Sequence, residues 1–182
     1  MRMYWKLFCL IVTTTMCGAC LSANSDQPSA LQISNFRHGL VKFDSSQRPH
    51  IYKEGNNFPY EVNGTCIAAG EEAPCQWRGF EFSFRSPEEI TVFECVSTSD
   101  RPQSQVYPDA VVATNSQTFH WGFSVKGHTG HYLRPQYTFD VVDSPLRMIN
   151  ICFNNGREAL RWQVILTPPS AVKANKARPQ SP

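Results

Sequence analysis

Phe80-Glu81-Phe82-Ser83-Phe84-Arg85 alternates a large ring with a polar side chain over six consecutive residues. Successive side chains of an extended chain point to opposite faces, so this stretch is a strand with one buried and one wet face. The same pattern recurs further along. Phe119, Trp121, Phe123 and Val125 alternate with His120, Gly122, Ser124 and Lys126. Tyr137, Phe139 and Val141 alternate with Thr138 and Asp140, and Leu160, Trp162, Val164 and Leu166 with Arg161 and Gln163. Less regular β-rich runs lie at 31–36, 58–69, 90–97 and 106–113, and no segment offers a helical stripe.

Turn chemistry separates these runs at Ser86-Pro87, Asp100-Arg101-Pro102 and Asp143-Ser144-Pro145. Short strands at this spacing predict an all-β domain, a single antiparallel β-sandwich or a barrel. Residues 31–167, roughly 140 of them, are enough for one domain with a real core.

Asn155-Gly156 is a strong two-residue hairpin signal, because both residues tolerate positive φ. Pairing outward from it sets Cys152 opposite Ala159, Ile151 opposite Leu160 and Ile149 opposite Trp162. The expected apolar face is then Ile149, Ile151, Leu160, Trp162 and Val164. Cys152 falls on the other face, and Cys95 falls opposite to Val92 and Val96.

Four of the seven cysteines lie in the domain: Cys66, Cys75, Cys95 and Cys152. An even number behind an export signal reads as two disulfides. Of the three pairings, Cys66–Cys75 with Cys95–Cys152 is preferred. The first closes a short loop around Gly70-Glu71-Glu72. The second ties distant strands, worth on the order of 4 kcal/mol in lost loop entropy, and the face assignment above puts it outside the main core. The sandwich is only loosely immunoglobulin-like. A true immunoglobulin domain has a tyrosine two residues before its second cysteine, and that position is Asn150.

The chain ends read as address and tether. Arg2 and Lys6 precede the apolar run Leu7–Val12 and then small residues, which makes residues 1–19 a signal peptide. Cys17-Gly18-Ala19-Cys20 resembles the bacterial lipoprotein signal in Gly18, Ala19 and Cys20, while Cys17 departs from the branched aliphatic residue usual there. The resemblance implies lipidation of Cys20; ordinary cleavage after Ala19 or Ala23 is the alternative. Residues 20–30 are polar and suit a flexible tether. Pro168-Pro169 stops the last strand. The tail, residues 168–182, contains Lys173, Lys176 and Arg178 and reads as a frayed basic terminus.

The net charge of +2 vanishes when Arg2 and Lys6 leave with the signal, and the tail's three basic residues leave the folded part slightly acidic. That is no footprint for nucleic acid. The sequence has no Gly-x-Ser-x-Gly elbow and no His-Glu-x-x-His, and Glu88-Glu89 reads as turn charge. No cofactor signature is present.

The residues suited to contact a partner are Trp77 and Arg78, in an expected loop after Cys75, and Tyr132 as an exposed anchor. His128 and His131, in an expected hairpin loop, with His120 a distant third on the wet face of the preceding strand, could gather a metal. Asn63-Gly64-Thr65 matches a glycosylation acceptor, which matters only on a eukaryotic secretory route. These readings converge on an exported, lipid-anchored bacterial cell-envelope protein that binds an envelope protein or wall polymer. The alternative is a secreted enzyme or metal-binding protein using His128 and His131.

Overall fold

The structure is a computed structural model that describes residues 28–68, 70–106, 111–138 and 143–169. The proposed signal and Cys20, most of the tether and nearly all the basic tail lie outside the described residues. The described chain is all-β: β1 Gln32–Phe43, β2 Pro49–Glu54, β3 Asn57–Pro59, β4 Gly64–Ala68, β5 Glu71–Arg85, β6 Ile90–Val106, β7 Val111–Lys126, β8 Thr129–Thr138, β9 Leu146–Asn154 and β10 Arg157–Thr167. They form two five-stranded sheets, one of them curled into a half-barrel. The first joins β2, β1, β5 and β4 in that order, with β8 also paired to β5; the second runs β3-β10-β9-β6-β7.

The Phe80–Arg85 stretch lies in β5, the organising strand of the first sheet. It pairs with β1 and β8, and its start pairs with β4. Its inward residues Phe80, Phe82 and Phe84 meet Phe93, Phe123 and Trp162 of the second sheet in one cluster. Phe93 stacks on Phe123 at 4.6 Å and Phe80 lies 4.7 Å from Trp162. Each fully buried ring contributes about 2 kcal/mol of transfer free energy.

Two short connections carry the chain between the sheets. β5 reaches β6 through residues 86–89, and β7 reaches β8 through Gly127 and His128. Gly127 takes a φ of 89°, which favours glycine. The connections clasp each other: Ser86 N–H donates to His128 O at 2.8 Å and Gly127 N–H to Glu89 O at 2.7 Å. The buried Ser86 hydroxyl accepts from Thr91 Oγ1 and Glu88 N–H. The segment from 126 to 131 is therefore a sheet-to-sheet crossing, whereas the sequence suggested a hairpin loop.

Both disulfides are present as paired above, Cys66–Cys75 and Cys95–Cys152. The position of the second corrects the sequence reading. Asn155 and Gly156 form the turn, with φ of 50° and 74°. The register then shifts between Glu158 and Leu160, so Leu160 faces Cys152 and Trp162 faces Asn150. The bulge accommodates Ala159 as an extra residue, and a one-residue slip exchanges the faces of the partner strand. Cys152 and Cys95 point into the core, at 0% and 2% exposure, while Ile149 is 38% exposed. Phe93 shares the face of Cys95, and Val92 turns outward.

Three other expectations change. Asp100-Arg101-Pro102 is no turn; it lies within β6, where the pairing with β7 is irregular between Thr98 and Gln103. The run 106–113 splits into the end of β6 and the start of β7, with 107–110 outside the described residues. Of Tyr137, Phe139 and Val141, only Tyr137 is described, and it pairs with Trp77 on the side away from the core.

Candidate functional site

Three regions bring chemistry-bearing side chains together. The first lies within the sandwich. Even-numbered residues of β5 face the second sheet, so Gln76 and Arg78 continue inward the row begun by Phe80, Phe82 and Phe84. Gln76 is 0% exposed and Arg78 only 7%. Trp77 and Arg78 therefore lie mid-strand on opposite faces of one sheet, and they do not form the surface pair that a loop would have allowed.

Arg78 Nε and Nη2 both donate to Gln76 Oε1, at 2.9 and 2.6 Å. Gln76 is held in turn by its amide, which donates to the Pro59 and Glu61 carbonyls at 2.9 and 3.2 Å. Arg78 Nη1 has no hydrogen-bond partner, and no salt bridge to Arg78 occurs among the described residues. Burial lowers the Arg78 pKa to about 9, so the group is still charged at neutral pH. Its guanidinium lies 5.9 Å from the centre of the Phe58 ring. His38, on β1, has its pKa lowered first by burial and then by the Arg78 charge, against a smaller opposing effect of Glu54.

The second region is the opposite face of the first sheet. Glu81 is 3% exposed and accepts a hydrogen bond from Arg37 Nε. His131 Nε2 lies 3.6 Å from the other Glu81 oxygen. Ser83 pairs with His131 across β5 and β8, but its hydroxyl accepts from Asn35 and makes no hydrogen bond to His131 among the described residues. His128 lies in the crossing instead, with Nδ1 at 3.2 Å from Ser86 O and Nε2 at 3.5 Å from Glu89. The two histidines are thus divided between two carboxylates. Among the described residues no group of three His, Cys, Asp or Glu side chains is placed to hold a metal.

Trp77, on this same face, is half-buried between Phe43 at 5.0 Å and Tyr137 at 5.3 Å, and its indole donates to Thr65 O. Tyr132 faces the core, half-buried and stacked on Phe123 at 5.0 Å. It is a packing residue, where the sequence suggested an exposed anchor. Asn63 stands where β1 gives way to β4 beside β5. Its Nδ2 donates to Val41 O and Trp77 O, and its Oδ1 accepts from Trp77 N–H. A glycan on that nitrogen would break this arrangement, which weighs against the acceptor reading of Asn63-Gly64-Thr65.

The third region is the outer face of the second sheet. Ile90 and Val92 on β6 are 52% and 53% exposed. Val96 pairs with Ile151, Thr98 with Ile149 and Glu94 with Phe153 across β6 and β9. Ile149, Ile151 and Phe153 thus join Val92 and Val96 on one face. Its flanks are polar: His120, Ser124 and Lys126 on β7, and the Arg161–Glu158 ion pair on β10. No described element covers it. The inner face of β6 and β9 carries Phe93, Cys95, Leu146 and Cys152 among Thr91, Ser99 and Asn150, so alternation alone did not tell which face of these strands turns inward.

No family model matches the chain, and no curated protein matches it.

Proposed function

We propose that the chain is an exported binding module, held at a bacterial cell envelope through lipid on Cys20, that docks a partner envelope protein on the outer face of its second sheet. The observation that carries this reading is the apolar stripe of Ile90, Val92, Val96, Ile149, Ile151 and Phe153, three of them exposed and three half-buried, interrupted on β6 by Glu94. Contiguous exposed apolar surface with a polar border marks interaction sites on soluble domains. The stripe consists mostly of aliphatic side chains and lacks the ring platforms suited to sugars, which favours a protein over a wall polymer. The flanking charges are of both signs, which favours a protein surface over a polyanion. The two disulfides fit an oxidising compartment, and the polar composition of residues 20–30 suits a linker between lipid and domain.

The test is site-specific photo-crosslinking in intact cells of the native host, from Val92 on the stripe and from Arg85 on the first sheet as a control. One discrete adduct from Val92, absent from Arg85 and lost in Ile149→Asp, supports the reading. Equal or no crosslinking from both positions refutes it.

A further inference from the structure

We infer that Asn155 is a self-modification site: its side-chain amide is converted, through a succinimide formed with the backbone nitrogen of Gly156, to aspartate and isoaspartate. The chain contains two Asn-Gly pairs, Asn63-Gly64 and Asn155-Gly156. Glycine after asparagine favours this chemistry, because no side chain shields the following backbone nitrogen. The fold separates the two pairs. Asn155 and Gly156 are both exposed at the tip of the β9–β10 hairpin, with φ of 50° and 74°. Asn154 and Arg157 face each other and close the turn. In a two-residue turn the closing hydrogen bond comes from the residue after the glycine, so the Gly156 N–H takes no part in it. A Cβ placed on Gly156 would meet nothing within 4 Å, so open space surrounds the tip. The Asn155 amide is held by a contact between two exposed side chains, with Nδ2 donating to Glu88 Oε1 at 3.3 Å.

Asn63 is the internal contrast. Its Nδ2 donates to the Val41 and Trp77 carbonyls at 3.3 and 3.2 Å, and its Oδ1 accepts from Trp77 N–H at 2.6 Å. Gly64 lies opposite Cys75 in β4 and against the Trp77 ring, which an added Cβ would approach to 2.6 Å. Cyclisation at Asn63 requires the amide to leave all three bonds. Each is worth roughly a fivefold shift in the opening equilibrium, so together they slow the attack about a hundredfold. At Asn155 the step balances with water alone. Gly156 N loses its proton to solvent and bonds to Asn155 Cγ; the Cγ–Nδ2 bond breaks and the nitrogen leaves as ammonia. Water then opens the imide. Addition at Cγ gives aspartate, and addition at the main-chain carbonyl gives isoaspartate, whose backbone runs through Cβ and Cγ. Either product replaces the amide donor to Glu88 with a second carboxylate, so the contact between the hairpin tip and the 86–89 connection becomes repulsive. This inference does not rest on the docking face.

The test incubates the mature, oxidised protein in near-neutral buffer made with heavy-oxygen water, beside a parallel sample in concentrated urea. Peptides released under acidic conditions are mapped by mass spectrometry, after a separation that resolves aspartate from isoaspartate. In the native sample Asn155 should convert about a hundredfold faster than Asn63. Its products should carry one solvent oxygen and include isoaspartate. In urea the two sites should convert at comparable rates. An Asn155 that stays intact in the native protein while converting in urea overturns the inference, as do equal native rates at the two sites. Aspartate without isoaspartate would mean direct hydrolysis and overturns the succinimide route. An Asn63 that remains slow in urea would assign the contrast to local sequence, and overturns the role given to the fold.

Discussion

Cys95 and Cys152 face each other directly across β6 and β9, with their Cα atoms 4.0 Å apart and both side chains in the cluster that contains Trp162. The bond joins residues 57 apart in sequence inside the second sheet. The other disulfide closes a hairpin, with Cys66 opposite Ala73 and Cys75 opposite Gly64. The two bonds thus restrain very different lengths of unfolded chain.

Loop entropy makes the Cys95–Cys152 bond worth on the order of 4 kcal/mol and the Cys66–Cys75 bond about 3 kcal/mol. All four cysteines are buried, so replacing either pair by alanine also leaves a void, and the difference between the pairs lies in loop length. The C95A/C152A pair should therefore lose more stability than C66A/C75A in urea unfolding. Equal losses would mean that the longer loop closed by Cys95–Cys152 adds nothing.

Gln76 is the sole hydrogen-bond acceptor for Arg78 among the described residues. Gln76→Leu should cost about 3–5 kcal/mol, because it removes the acceptor of a buried guanidinium and the amide that donates to the Pro59 and Glu61 carbonyls. Arg78→Met removes the buried charge but also the donors to Gln76 Oε1, so it should cost less than Gln76→Leu, and the double variant should lose less than Gln76→Leu alone. Additive losses in denaturant titrations would contradict the coupling.

His38 gives the fold a pH dependence. Its folded pKa lies below the ordinary value of 6.5, mainly because of burial and secondarily because of Arg78. The unfolded chain therefore binds more protons between the two pKa values, and stability rises with pH there. This contribution is complete above pH 6.5 and is lost as the pH falls through the folded value. His38→Gln should flatten the slope of stability below about pH 6.5, and Arg78→Met should reduce it. An unchanged slope in His38→Gln would exclude His38 as its source.

Val92 and Phe93 are neighbours with opposite roles. Val92→Asp should alter stability by no more than about 0.5 kcal/mol, as exposed substitutions do, yet abolish partner docking. Phe93→Ala, at 0% exposure, should cost about 3–5 kcal/mol. A large destabilisation by Val92→Asp would mean that the stripe is structural.

Most strands, the all-β class and both cysteine pairings were legible from alternation, turn residues and cysteine spacing; β2, the Trp77-Arg78 part of β5 and most of β8 were not read as strands. What alternation could not provide was the side facing inward where both sides are apolar. Val92 and Val96 against Phe93 and Cys95 offer no such contrast. At β9 the decision rested on extrapolating from Asn155-Gly156, and the bulge at Ala159 reversed it. Arg78 was invisible as a buried group because an arginine in a strand ordinarily marks the wet side. Only its partnership with Gln76 and the irregular chain around Pro59 and Glu61 makes burial tolerable. Crossings between sheets were also hidden, since Gly127-His128 reads locally like any tight hairpin turn.

The central claim is an oxidised binding domain tethered by lipid, and the intact mass of the mature protein from its native host tests it most directly, measured before and after reduction. The account predicts a chain starting at Cys20 with a diacylglyceryl group, with or without a further acyl chain, that gains four hydrogens on reduction, two for each disulfide. An unmodified chain starting at Cys20 or Asn24, or one that gains no hydrogens, would contradict it.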